Sequence, residues 1–316
     1  MAQRILIALG AGLAAGVLFV LPAKGVLAGV WLSVLAPMPL MIACMGYGLL
    51  AGVGAAVIGA IVAAFMQPVL GLVFLVSTSF PALLLAWLSV HVFSGGRRLP
   101  PGLLLTAVTT LSIVATWGMV AFVGLIYGGL DTAASEISAG VVELLKNMKG
   151  VEGGDDAASS QALDNLAPVL VASVPAVMAF WSVLALSLNL WLAARVTMIS
   201  GQFAQAWPDL PTSLDLPRAA LGAFAVATLA CALPGAARVF ASSAAVALGV
   251  AFAFQGLAAL HRLTRDRSGR PGLLAVVYAL IFVLFPLPLF VVAGVGVADN
   301  VKPLRRSLPK PTSTNP

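Results

Sequence analysis

Leu49-Leu-Ala-Gly-Val-Gly-Ala-Ala-Val-Ile-Gly-Ala-Ile-Val-Ala-Ala-Phe-Met66 carries no polar side chain at any position. A run of this length and composition can cross the roughly 30 Å hydrocarbon core of a bilayer as one helix, which needs about 20 apolar residues. Eight further runs share its character: Ile5–Leu21, Val26–Met45, Val69–Val92, Leu103–Tyr127, Val169–Ala194, Ala219–Leu233, Phe240–Leu260 and Leu273–Ala298. None contains Asp, Glu, Lys or Arg. A charge at membrane depth costs several kcal/mol, so this sorting is what a lipid environment imposes. With 61% hydrophobic residues, 9% charged residues and a mean hydropathy of +1.06, the chain has too little polar surface for a soluble globule. The expected fold is all-α: a polytopic transmembrane helix bundle of eight to nine hydrophobic segments.

Charge placement orients the chain. The turn Ser94-Gly-Gly-Arg-Arg-Leu-Pro-Pro101 carries Arg97 and Arg98. Placed in the cytoplasm under the positive-inside bias, it puts Arg4, the segment Arg195–Arg218 and the segment His261–Arg270 on the same side. Seven of the eleven acidic residues lie between Asp131 and Asp164, in a loop that falls outside. The net charge of +6 therefore reads as orientation and contact with lipid headgroups, not as nucleic-acid affinity. The expected location is a bacterial inner membrane, with the amino terminus cytoplasmic and loop 131–167 external. The first run reads as a retained helix, because a second apolar run follows directly after Lys24. Residues 1–306 form one integral membrane domain on this reading. Its parts are a four-helix portion (1–93), a fifth span (94–130), the acidic loop (131–167) and carboxy-terminal spans (168–306), followed by a disordered tail (307–316).

Two segments have internal order. Ile137, Val141, Leu144, Leu145 and Met148 form a helical apolar stripe, with Glu136, Glu143, Lys146 and Asn147 off it. This predicts a short amphipathic helix on the outer surface, followed by a flexible linker over Gly150–Ser160. In the last run, Phe285-Pro-Leu-Pro-Leu289 interrupts the apolar pattern, and proline breaks a helical ladder. The run is either a single crossing, which leaves Lys302, Arg305, Arg306 and Lys310 outside against the positive-inside bias, or two half-length helices that return the tail to the cytoplasm, the reading favoured here.

Polar groups inside the runs are few. Ser77, Thr78 and Ser79 precede Pro81, with Gln67 at the preceding external turn, and such a run loosens a helix and frees carbonyls. Thr106, Thr109, Thr110 and Thr116 give the fifth span a polar-leaning face. Its alternative reading is hydroxyls bonded to their own helix. Asn189 is a lone amide that can hold a ligand or join two helices. Gln67, Ser77, Thr78, Ser79, Thr106, Thr110 and Asn189 are the candidate ligand-binding residues, for a neutral or weakly charged molecule. Ala8, Gly12 and Gly16 repeat at four-residue spacing and form a ridge that either packs the bundle or docks a partner's helix. Cys44 and Cys231 lie inside apolar runs and read as packing residues. No metal set, catalytic constellation or phosphate-binding loop is found, so neither cofactor nor enzymatic activity is expected. ATP-driven work would need a partner subunit.

Three patches together resemble the YybS-like family of predicted bacterial membrane proteins, a domain of unknown function. They are Ala36-Pro-Met-Pro-Leu40 leading into Tyr47–Gly52, Phe254-Gln-Gly-Leu-Ala-Ala-Leu-His261, and Gly294-Val-Gly-Val-Ala-Asp299 with Arg305 and Arg306. The aromatics usual between that Asp and Arg are replaced here by Val301, Pro303 and Leu304. The resemblance singles out Gln255, Gly256, His261, Asp299 and Arg305 at the cytoplasmic face. The amino-terminal helices also distantly resemble the substrate-binding components of energy-coupling-factor vitamin transporters. That resemblance implies a transmembrane coupling subunit as partner. The expected function is transport-related, either a small-molecule binding component or a permease-like bundle. The rival is a scaffold or assembly factor that binds other membrane proteins, and a membrane enzyme ranks third.

Overall fold

The structure, a computed structural model, describes residues 2–24, 27–91, 98–149, 157–202 and 208–302. Arg97, Arg305, Arg306, the tail 307–316 and residues 150–156 of the expected linker lie outside the described residues. Every regular element among the described residues is helical.

Proline and glycine set the boundaries. Helix α1 (Ala2–Val20) closes in a single 3-10 turn, Leu21–Lys24. Helix α2 (Leu27–Ser33) stops at a turn over residues 34–36 because Pro37 and Pro39 cannot donate to it, and α3 (Pro37–Tyr47) starts on proline. Gly48, at φ +95°, turns the chain into α4 (Leu49–Met66). Helix α5 (Pro68–Val73) widens into a π-helical turn, Phe74–Ser79, before α6 (Phe80–Val90). Helix α7 (Pro101–Ile126) is joined by Gly128 and Gly129, both at positive φ, to α8 (Leu130–Lys149). Then follow α9 (Ala157–Ile199), the short α10 (Leu210–Ser213), α11 (Arg218–Ala230), α12 (Ala236–Leu263), α13 (Arg270–Val283) and α14 (Leu287–Val301).

Among the described residues, seven helices are long and apolar enough to span a membrane, against the eight to nine segments expected. The run at Ala219–Leu233 yields only the 13-residue α11, about 20 Å at 1.5 Å per residue. The run at Leu273–Ala298 is split at residues 284–286 into α13 and α14, neither of full length. The interruption follows from Pro286 and Pro288, as the sequence predicts. Helix α8 covers the predicted amphipathic stripe. The expected linker is shorter than its composition suggests, since Ala157–Ser160 already belong to α9.

The chain divides into two compact units. The first comprises Met1–Leu111, Val183–Leu221 and Gly249–Pro316, the second Ser112–Ser182 and Gly222–Leu248. In the first, α1 lies along α4. A β-carbon on Gly12 would come within 2.5 Å of the Ala55 carbonyl, and one on Gly16 within 2.8 Å of that of Gly59. Gly59 in turn leaves room for the ring of Phe74, which meets Phe19 edge-on at 5.1 Å. In the second, the Ser182 hydroxyl donates to Ser112 at 3.0 Å. The Trp117 indole N–H is shared at 3.0 Å between the Phe240 carbonyl and the Ser243 hydroxyl. Ala133, Ile137 and Val141 of α8 turn inward there while Asp131, Glu136 and Glu143 are exposed.

Candidate functional site

Two places in the first unit bring polar atoms into apolar surroundings, and the backbone explains each. In the fourth span, Pro81 offers no N–H to the carbonyl four residues back, and the ladder widens to π spacing just before it, with the Phe80 amide reaching Leu75. Such single-turn π-bulges recur at functional sites. The Ser77 hydroxyl donates to its own helix at Val73, 2.7 Å away, with Thr78 Oγ1 at 3.4 Å. Thr78 and Ser79 are buried, and Ser79 Oγ (residue 2% exposed) has no hydrogen-bond partner among the described residues.

The second place is a buried polar cluster where α12, α14 and the segment before α11 meet. Helices α12 and α14 touch backbone to backbone, so that a β-carbon on Gly256 would overlap the Val292 carbonyl and one on Gly296 that of Phe252. This approach carries Gln255, fully buried, into reach of two carboxylates. Its Nε2 donates to Asp299 Oδ2 at 3.0 Å and to Asp215 Oδ1 at 3.4 Å. Its Oε1 accepts the Leu216 N–H at 3.2 Å, and Asn300 Nδ2 donates to the Leu216 carbonyl at 2.8 Å. A buried loop must find partners for its peptide groups, and Leu216 finds both of its partners in side chains of two different helices. At Gly102, a β-carbon would strike the backbone of Asp215, so the start of α7 lies against the same loop.

The family-like positions Gln255, Gly256 and Asp299 thus converge, although 44 residues separate Gln255 from Asp299. His261 does not join them. Its Nε2 is 2.8 Å from the Tyr278 hydroxyl on α13. Arg305 lies outside the described residues. Asp299 follows directly on the last apolar run, which ends at Ala298. In the structure α14 continues to Val301 and Asp299 is 1% exposed. Asp215 and Asn300 were not singled out. The signal available was an acid flanked by leucines, Leu214-Asp-Leu216, between two basic stretches.

The other candidates fall apart spatially or bond locally. Gln67 is exposed at the α4–α5 corner and caps no helix through its side chain. Thr106 and Thr109 donate to Gly102 and Leu105 in their own helix, each at 2.8 Å, while Thr110 is exposed. Asn189 ties α9 to the turn between α2 and α3. Met38 donates to Leu35 at the break in the second span, and Asn189 Nδ2 donates to the Val34 carbonyl at 2.7 Å. Asn189 also donates to Ala185, and its Oδ1 is buried with no partner among the described residues. Ala8, Gly12 and Gly16 face α4, the arrangement in which the ridge packs the bundle internally. Among the described residues no group of three or more His, Cys, Asp or Glu side chains could hold a metal ion.

Seven helices of spanning length and apolarity among the described residues, a break in the second span and a π turn in the fourth define a multi-span helical membrane protein. The family described as "Predicted membrane protein (DUF2232)" matches residues 13–300, and the chain belongs to that family. The match takes in both polar places. No curated protein and no solved structure matches the chain.

Proposed function

We propose that this protein is transport-related, a small-molecule binding component or permease-like bundle that works without an ATPase of its own. The observation that carries the reading is the π-helical turn Phe74–Ser79, where the buried Ser79 hydroxyl has no partner. A buried polar group left unsatisfied costs about 1–3 kcal/mol, and a ligand hydrogen bond would remove that cost. Irregular backbone at membrane depth is tolerated where it lines a site or is covered by protein. The ligand is a neutral molecule with a hydroxyl, amide or carbonyl, and Thr78 and Ser79 orient it. The distant likeness to energy-coupling-factor substrate-binding components agrees with this reading. With the α1 ridge turned to α4, a coupling subunit would use another face.

The orientation proposed is an amino terminus in the cytoplasm of a bacterium and loop 131–167 outside. The end of α14 meets Leu216 beside the start of α7, which supports a carboxy terminus at the same end as the basic segments. A second reading, a scaffold or assembly factor without cargo, draws on Ser77, Thr106 and Thr109, whose hydroxyls are bonded to their own helices.

The test is native mass spectrometry of the full chain purified in mild detergent. A small-molecule adduct should accompany the wild type and be lost from Ser79→Ala and Thr78→Val, with melting temperatures close to wild type. An adduct that survives both substitutions removes the site. Protein-only complexes with no small molecule in any preparation favour the scaffold.

A further inference from the structure

We infer that the corner between α12 and α13 is a binding site for the phosphate of an anionic phospholipid. This inference is independent of the transport reading. Arg267, Ser268, Gly269, Arg270 and Leu273 line a depression of about 510 Å³ there, together with Asp266 and the edge of Thr264. The corner is built by three backbone bonds, Arg265 to Arg262, Arg267 to Thr264 and Arg270 to Arg267. None of the backbone bonds that close it uses the amides of Ser268, Gly269 or Gly272.

The charges are divided unequally. Arg265 is committed to Asp209, with N–O distances of 2.8 and 3.0 Å, whereas Arg267 and Arg270 make no ion pair among the described residues. Two guanidinium groups against the carboxylate of Asp266 leave the lining with a net charge of +1, which matches a single phosphodiester. Guanidinium groups hold phosphate oxygens through paired N–H donors, and free amides at the head of a helix add to the same field.

The occupant is a lipid because of what adjoins the depression. Leu273 lines it and lies in the first turn of α13, none of whose residues is buried, and Leu273, Val276 and Leu280 on that helix are 41, 59 and 45% exposed. Spaced by three and four residues, these side chains share one helix face and give an acyl chain a track leading from the headgroup. A free phosphate would use the arginines and leave that track unused.

The full chain, purified in detergent, would be offered equal amounts of phosphatidylglycerol, phosphatidylethanolamine and phosphatidylcholine, and retained lipid counted by native mass spectrometry. One phosphatidylglycerol should be kept in preference to the other two. Arg267→Gln with Arg270→Gln should cut its retention about ten- to thirtyfold. Asp266→Asn should raise it, a gain that a folding defect cannot mimic. Melting temperatures without added lipid identify any variant that fails to fold. Equal retention of the three lipids, or retention unchanged in the double variant, overturns the inference. Stabilisation by inorganic phosphate equal to that by phosphatidylglycerol overturns the lipid assignment.

Discussion

Two helix pairs in the first unit use glycine to bring backbones together, yet they differ in what the closeness achieves. Between α1 and α4, Gly12 and Gly16 meet Ala55, Ile58, Gly59 and Val62, and nothing polar but backbone is involved. Between α12 and α14, Gly256 and Gly296 allow an equally close approach, but Gln255, Asp299 and Asn300 bond across it and onto Leu216. Small residues permit proximity, and van der Waals contact alone holds the first pair. In the second pair the hydrogen bonds also fix register, because a shift of one helical step would leave carboxylate and peptide groups buried without partners.

The comparison breaks first at the glycines. Gly256→Ala and Gly296→Ala should each cost about 3 kcal/mol or more, since the new methyl meets backbone and cannot move aside. Thermal unfolding in detergent would show little folded protein. Gly12→Ala should cost less, about 1–3 kcal/mol, because part of its clash is with the Ile58 side chain. Gly10 and Gly294, on the same helices with open space around them, are the controls. Alanine there should be neutral or slightly stabilising, and equal damage at Gly10 and Gly12 would show that the ridge does not decide the packing.

Gln255→Leu sharpens the polar side of the contrast. It leaves the Leu216 N–H without an acceptor and removes the bonds to Asp299 and Asp215, for an expected loss of about 3 kcal/mol. No apolar substitution of similar volume in α1 should approach that. Asn189→Leu, which removes the bonds to the Val34 and Ala185 carbonyls, should cost about 1–2 kcal/mol by the same measurement.

The smallest effect belongs to the exposed version of such a tie. Slight desolvation works against ionised Asp209, but hydrogen bonds from Arg265 and Thr212 and the charges of Arg265 and Arg262 outweigh it and lower its pKa. A lowered carboxylate pKa means stability present above the ordinary carboxylate range and lost as the pH falls below it. Asp209→Asn should therefore cost no more than about 1 kcal/mol at neutral pH, and nothing in strong acid. A melting-temperature difference that persists unchanged at low pH would show that the pair contributes nothing through charge.

The helices were legible where one physical rule decides them. Ile137 and Val141 announced α8 by period, Pro286 and Pro288 announced the break after α13, and Ala8, Gly12 and Gly16 announced a small-residue ridge without deciding between internal packing and a partner's helix. The number of full-length spans was not legible at Ala219–Leu233, because hydropathy measures apolarity while Arg218–Ala230 is limited by its length. The polar cluster was legible only as separate patches. Whether Asp299 is inside or outside depends on Gln255 and on a loop 84 residues before Asn300, and no local pattern encodes that. Nor did composition reveal that Ser77–Ser79 form a π turn. It gave the proline that disturbs the ladder, not the spacing the ladder adopts in response.

Helix α9 has a consequence for the surrounding bilayer. Its spanning stretch, Asp164–Ile199, holds an uncharged run of 30 residues between Asp164 and Arg195, about 45 Å at 1.5 Å per residue, against about 30 Å of hydrocarbon. Tilted by about 40°, at the upper end of what such helices show, it would use about 26 residues to cross and leave about four in excess. This is positive hydrophobic mismatch built into one helix. Leu166, Val169 and Leu170, all exposed, fall at the end where α9 begins. Lipid around this protein should thicken locally there, and the chain should partition toward the thicker regions of a heterogeneous membrane.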